Sequence, residues 1–175
     1  RSFARRLGCC RDRSRRHRIG RRERDRRSGT HNVAGIVGTA TALALTDQLR
    51  THEVARLSAL RDLLVNELTA QLPEAVVTLK PGVGVAGTAH ICLEGLESES
   101  ILYLLDGANV CVSAASACAS GAMEPSHVLE AMGVPRERVK GSLRFSLGHT
   151  TTEHDIRLAI DATVAAAERL KAAQR

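Results

Sequence analysis

The segment Ser113-Ala-Ala-Ser-Ala-Cys118-Ala-Ser-Gly121 sets a cysteine among small side chains. With little bulk around its sulfur, the Cys118 thiol can swing towards a substrate. The thiolate is the nucleophilic form, favoured by exposure and a nearby cation. The competing reading is a small buried hydrophobe, which is how most free cysteines behave. Cys92 and Cys111 lie in strand-like stretches with apolar neighbours and take that second reading. Arg144, in Ser142-Leu-Arg-Phe-Ser146, is a guanidinium inside an apolar strand. Burial there demands a partner, and the planar fork suits a carboxylate bidentately. That carboxylate belongs either to a structural acid or to a substrate. Ser28-Gly29-Thr30 stands ahead of a helical run. A hydroxyl and free amides at a helix start make either an anion site or a plain N-cap.

Other patterns carry less chemistry. Gly82-Val-Gly84-Val-Ala-Gly87 has the G-x-G-x-x-G spacing. A dinucleotide site needs that motif to open a helix, whereas Thr88 to Leu93 reads as a strand, so a hairpin loop is expected. The histidines are His17, His31, His52, His90, His127, His149 and His154, with no H-E-x-x-H among them. His149 and His154 stand five apart with no third ligand motif, so no zinc site is expected. The five cysteines (Cys9 and Cys10 complete the set) are odd in number and include no C-x-x-C pair. A disulfide framework is not expected, and a reducing, cytoplasmic compartment fits best.

These groups must be positioned by a chain of 175 residues, a length for one domain or at most two. Hydrophobic residues make up 43%, enough for a packed core. Phe3, Tyr103 and Phe145 are the only aromatic residues, which counts against a single-strand nucleic-acid reader built on stacking. No run of 18 apolar residues exists, so no transmembrane helix is expected. Residues 1–27 hold 13 Arg against Asp12, Glu23 and Asp25, a net of +10 within a chain total of +6. The body is therefore mildly acidic, at −4. Such a head reads as a nucleic-acid arm, a targeting peptide or a solvated terminus. A secretory signal is not expected there, because no apolar core of 7–15 residues lies within it.

Thr30 to Thr46 reads as a buried helix, and Asp47 as the cap of a second helix ending near Leu72 before Pro73. The stripe of the second helix is Val54, Leu57, Leu60 (or Arg61), Leu64 and Leu68. Strands are expected at Ala75–Leu79, Thr88–Leu93, Val110–Ser113 and Ser142–Ser146. Short helices are expected at Glu97–Leu105 and at Ser126–Met132, the latter closed by Gly133. Thr152 caps a last helix whose stripe is Ile156, Ile160, Val164, Ala167 and Leu170. The mixture lacks regular βαβ spacing and reads as α/β of the α+β kind, with a short mixed or antiparallel sheet packed with helices.

In combination, the pieces resemble the C-terminal part of a cysteine desulfurase, a pyridoxal-phosphate enzyme of the class-V aminotransferase group and fold type I. The matching text is Glu23-Arg-Asp-Arg-Arg27-Ser-Gly-Thr30 and Asn32-Val-Ala-Gly35-Ile-Val-Gly38. It continues with Ser116-Ala-Cys118, Glu124-Pro-Ser-His-Val-Leu129, Ser142-Leu-Arg-Phe-Ser-Leu-Gly148 and Thr151-Thr-Glu153. The resemblance covers roughly Glu23 to Leu170 and divides the chain into an off-family segment, 1–22, and a family region, 23–175.

The resemblance implies roles. Cys118 would attack the sulfur of cofactor-bound L-cysteine, become a persulfide and release alanine. It would pass the sulfur to a scaffold protein and could transiently ligate an iron–sulfur cluster there. Arg144 would clamp the substrate carboxylate. Thr30 would reach the cofactor phosphate of the neighbouring subunit in a homodimer. The family's cofactor lysine follows a histidine in a large N-terminal domain. Here only Lys80, Lys140 and Lys171 occur, none after a histidine. The Gly-Gly-x-Gln stretch expected before Glu23 is replaced by Ile19-Gly20-Arg21-Arg22. The chain starts at Arg1, and the composition of residues 1–22 reads as GC-rich coding sequence in the wrong frame. The expectation is a truncated desulfurase, inactive alone. The alternatives are a non-catalytic module that accepts persulfide on Cys118 and docks a cofactor-bearing partner, and, less well supported, a nucleic-acid binder using the Arg-rich head.

Overall fold

The computed structural model describes residues 30–79, 83–114 and 126–174. The chain forms two compact units, one up to Gln48 and one from Leu49 onward. The basic head, the first part of the glycine-rich loop and the Cys118 segment lie outside the described residues.

In the first unit the described chain begins the long helix α1, Val33–Gln71. Its cap is Asn32, whose Oδ1 accepts from the Gly35 N–H at 3.0 Å, and not Thr30; Ser28 lies outside the described residues. The expected boundary at Asp47 does not exist. No proline interrupts residues 33–71, and both glycines, Gly35 and Gly38, lie near the start. The Ala- and Leu-rich flanks carry the helix through Asp47, because a capping residue in mid-helix costs only a fraction of a kcal/mol, ~0.7 at most. The expectation of burial for Thr30–Thr46 also fails. A helix apolar all round reads as a buried one, yet residues 30–52 are exposed, Val37 and Leu43 among them.

The second unit is a four-stranded antiparallel sheet. It contains β1 (Ala75–Val77), β2 (Thr88–Leu93), β3 (Ser113–Ala114) and β4 (Ser142–Ser146), in the spatial order β1-β2-β4-β3. Helices α2 (Ser98–Gly107), α3 (His127–Ala131), α4 (Arg136–Val139) and α5 (Glu153–Ala173) complete it. β2 and β4 run where the alternating apolar pattern puts them. β1 and β3 are shorter than expected, and Cys111 falls in the exposed link before β3 and not in a strand. α4 was not anticipated, since four residues are too few for a helical period to show.

One face of the sheet builds the core. Ala89, Ile91 and Leu93 of β2 and Leu143 and Phe145 of β4 pack with Leu64, Leu68, Ile101, Leu105, Ile156 and Ile160. Two local devices fix α5. The Thr152 hydroxyl accepts from the Asp155 N–H, and Asp155 accepts in return from the Thr152 N–H at 2.8 Å, a capping box. Arg56 of α1 donates to the carbonyls of Thr151, Gly148 and His149, pinning the turn between β4 and α5. Gly141 enters β4 where a Cβ would run into the Leu93 carbonyl oxygen.

Candidate functional site

The strand register places four polar residues in one row across the second face of the sheet. His90 lies opposite Arg144, and Arg144 lies opposite Ser113. Thr78, one step beyond the Val77–Ile91 pair, donates its N–H to the His90 carbonyl at 3.2 Å. Thr78, His90, Arg144 and Ser113 therefore share a face, because side chains alternate along each strand and directly paired residues point the same way.

The row is unequal in exposure. His90 is 8% exposed, Ser113 is half-buried and Arg144 is exposed. This corrects the expectation that Arg144 is buried. In Ser142–Ser146 it is Leu143 and Phe145 that enter the core, and Arg144 falls on the opposite side. Arg144 makes no hydrogen bond or ion pair among the described residues. The structural acid offered as one partner is thus missing from its surroundings there, and the fork is open to a carboxylate from outside.

The His90 ring is tied on one side. Its Nδ1 lies 2.7 Å from the Thr78 Oγ1, which is also 3.2 Å from the His90 carbonyl oxygen. Burial, and then the charge of Arg144, hold the imidazole below the usual histidine range, so it is neutral. The Nε2 atom is buried without a hydrogen-bond partner among the described residues.

The other expected groups are dispersed. Thr30 is exposed ahead of α1. Cys118 lies outside the described residues, four positions beyond the end of β3 in the sequence. Burial pushes the Cys92 thiol up to about 11, with the Arg138 charge opposing it, so that sulfur is unsuited to nucleophilic work. An open groove of about 460 Å³ is lined by Leu64, Asn109, Cys111, Phe145, Leu147 and Asp155 among others, and neither Arg144 nor His90 lines it. The carboxylate of Asp155 is already taken by its cap. Among the described residues no three His, Cys, Asp or Glu side chains gather to hold a metal, and no helix is long and apolar enough to cross a membrane.

Reading the residues singly missed His90 and Thr78 as companions of Arg144. The alternation in Thr88-Ala-His-Ile-Cys-Leu93 sets Thr88, His90 and Cys92 on one face, but their partner lies 54 positions away on β4. Pairing at that separation leaves no mark in a local pattern.

The described residues thus build a four-stranded antiparallel sheet packed with helices, with an exposed arginine in one of its two central strands. The chain belongs to the class-V aminotransferase family, whose model matches residues 11–158. Within that family it is similar to cysteine desulfurases. It is 43% identical to the cysteine desulfurase NifS of Azotobacter vinelandii over 137 residues, 78% of this chain and 34% of the relative. It is 41% identical to the IscS-like cysteine desulfurase of Mycobacterium tuberculosis over 155 residues, 88% of this chain and 39% of the relative. Its fold matches the crystal structure of a NifS-like protein from Rickettsia africae with a TM-score of 0.72 at 31% identity, covering 85% of this chain and 38% of the other. The chain thus spans little more than a third of the length of these relatives.

The family implies pyridoxal phosphate. The described residues fit its phosphate end only, through the exposed Thr30 hydroxyl and the amides that open α1. They hold no lysine available to its aldehyde. Lys140 donates to Glu137 at 3.0 Å and Lys171 pairs with Glu74, while Lys80 lies outside the described residues.

Proposed function

We propose that this chain carries the substrate clamp and the sulfur relay of a cysteine desulfurase, which converts L-cysteine to L-alanine and delivers sulfur to iron–sulfur assembly. The observation that carries this reading is the open guanidinium of Arg144, exposed in a central strand and uncommitted to any acid among the described residues. Its fork binds the α-carboxylate of L-cysteine through two charge-assisted hydrogen bonds. The Cys118 thiolate attacks the substrate sulfur. A sulfur–sulfur bond forms as the substrate's Cβ–S bond breaks, and the electron pair left on carbon takes a proton to give alanine. Cys118 then holds a persulfide, which an acceptor thiol or a scaffold protein removes.

Bound pyridoxal phosphate supplies the electron sink that labilises the substrate. Thr30 holds its phosphate across the interface of a cytoplasmic homodimer, and the cofactor lysine comes from polypeptide outside these 175 residues. The similarity to desulfurases over most of the chain supports this division of labour. Transient contact of Cys118 with an iron–sulfur cluster belongs to the delivery step.

The test is alanine formation from L-cysteine. With added pyridoxal phosphate, the chain alone is expected to give no turnover. Mixed with the N-terminal, lysine-bearing portion of one of the similar desulfurases, it is expected to turn over, and Cys118→Ala abolishes that activity. Undiminished alanine formation by the Cys118→Ala variant would overturn the assignment.

A further inference from the structure

Arg144 has a task in the proposed reaction, whereas His90, directly across the strand pair, has none. Its burial is nevertheless costly, because among the described residues Nε2 has no hydrogen-bond partner. A buried orphan group of this kind calls for a physical explanation, and the cross-strand pairing with Arg144 supplies one.

The protonation of the ring follows from its neighbours. The Thr78 hydroxyl has one proton and two acceptors within reach, the His90 carbonyl oxygen and Nδ1. If the hydroxyl donates to the carbonyl, Nδ1–H donates to Oγ1 and all three groups are satisfied, leaving Nε2 as a bare lone pair. If the hydroxyl donates to Nδ1, Nε2 carries the proton and points a positive dipole into a region already made positive by Arg144. The cation on the paired residue therefore favours the first tautomer. The ring is neutral for the same reason, since burial and that charge both oppose protonation. Directly paired side chains in an antiparallel sheet have Cβ atoms about 5 Å apart, well within the reach of an arginine.

We propose that His90 is a positioning residue for Arg144. Anchored to Thr78 through Nδ1, it offers its Nε2 lone pair to a guanidinium N–H and so fixes the direction of the fork. The half-buried Thr78 and the buried His90 form the support, and the exposed Arg144 is the group it steers. The orienting contact is inferred from the cross-strand pairing of the two residues and from the Nε2 atom that lacks a partner among the described residues. Its use, aiming the fork at the α-carboxylate of the substrate, rests on the desulfurase reading.

The experiment is NMR on the chain labelled with 15N-histidine, with His90→Gln to assign the ring signals. The expected spectrum shows a protonated Nδ1 and an unprotonated Nε2 for His90. Arg144→Gln is expected to move the Nε2 signal and to shift the titration midpoint of His90 upward. Arg144→Lys, which keeps the charge and loses the fork, moves the Nε2 signal while the midpoint stays low. Thr78→Val releases Nδ1 and allows the proton onto Nε2. A wild-type Nε2 that carries the proton, or ring signals and midpoint unchanged in both Arg144 variants, would overturn the proposal. Added L-alanine, with pyridoxal phosphate and the lysine-bearing portion of a similar desulfurase present, separates the two layers. A further upward shift of the His90 midpoint that is lost in Arg144→Gln places a carboxylate on the fork. No response to L-alanine, with the Arg144 effects intact, leaves the positioning role standing and counts against the desulfurase reading.

Discussion

The two faces of the sheet are built from the same strands and differ in nearly every physical respect. On one, Ile91, Leu93, Leu143 and Phe145 are buried against helices and supply the cohesion of the unit. On the other, Thr78, His90, Arg144 and Ser113 form a polar row that adds little apolar burial and places one cation at the surface. A shift of one residue along β4 would exchange the two sets, so the alternation of Ser142-Leu-Arg-Phe-Ser146 fixes both the core and the candidate site. The apolar face can therefore hold the strands while Arg144 stays at the surface, although Cys92 and Ser142 at the far end of the second face are buried.

The largest effect that would break this division is a cavity in the apolar face. Leu143→Ala is expected to cost about 2–5 kcal/mol in urea unfolding. Its neighbour on the other face, Arg144→Ala, is expected to change stability by no more than about 0.5 kcal/mol. Comparable losses for the two would contradict the comparison. Next comes the strand entrance. Gly141→Ala forces a Cβ against the Leu93 carbonyl oxygen and to within 2.8 Å of that of Leu96, and is expected to lower stability by about 3 kcal/mol through backbone displacement. Smaller again is the cap beyond β4. Thr152→Ala removes a capping box and is expected to cost about 1 kcal/mol, read as a lower melting temperature.

The smallest effect sharpens the description of the polar face. The folded His90 binds its proton less readily than the ordinary histidine value of 6.5. The unfolded chain therefore takes up the proton first as pH falls, and stability drops as pH goes down through about 6.5 towards the folded value. His90→Gln is expected to flatten the pH dependence of unfolding in that window. The same slope in the variant and the wild type would show that His90 is not the group responsible.

Much of the frame was legible because it rests on local patterns. Thr88–Leu93 and Ser142–Ser146 alternate, Thr152 precedes an acidic first turn, and Gly133 takes the positive φ (76°) that a chain reversal after α3 requires. What failed was competition between signals. Asp47 has the side chain of a cap but helical neighbours on both sides, and the helix prevailed. Thr30 has a capping hydroxyl, but Asn32 stands nearer the first turn and makes the bond. Arg144 stands out in the sequence as a candidate fork from its type and setting. Its exposure required the period of two to be applied to the arginine itself. The row that contains it required knowing that β2 and β4 pair, which depends on the whole fold. Cys118, the group with the most chemistry in the sequence, lies outside the described residues.

The central claim is that the polar face of this sheet recognises the carboxylate of L-cysteine through Arg144. The most direct measurement is the KM for L-cysteine of the Arg144→Ala variant, in the assay complemented with a lysine-bearing domain, alongside its unfolding curve. Loss of two charge-assisted hydrogen bonds, at about 1.5–3 kcal/mol each in isolation and less than additive as a pair, predicts a KM raised about 10- to 100-fold or more. The melting temperature should stay at its wild-type value. An unchanged KM in a variant that unfolds like the wild type would contradict the account.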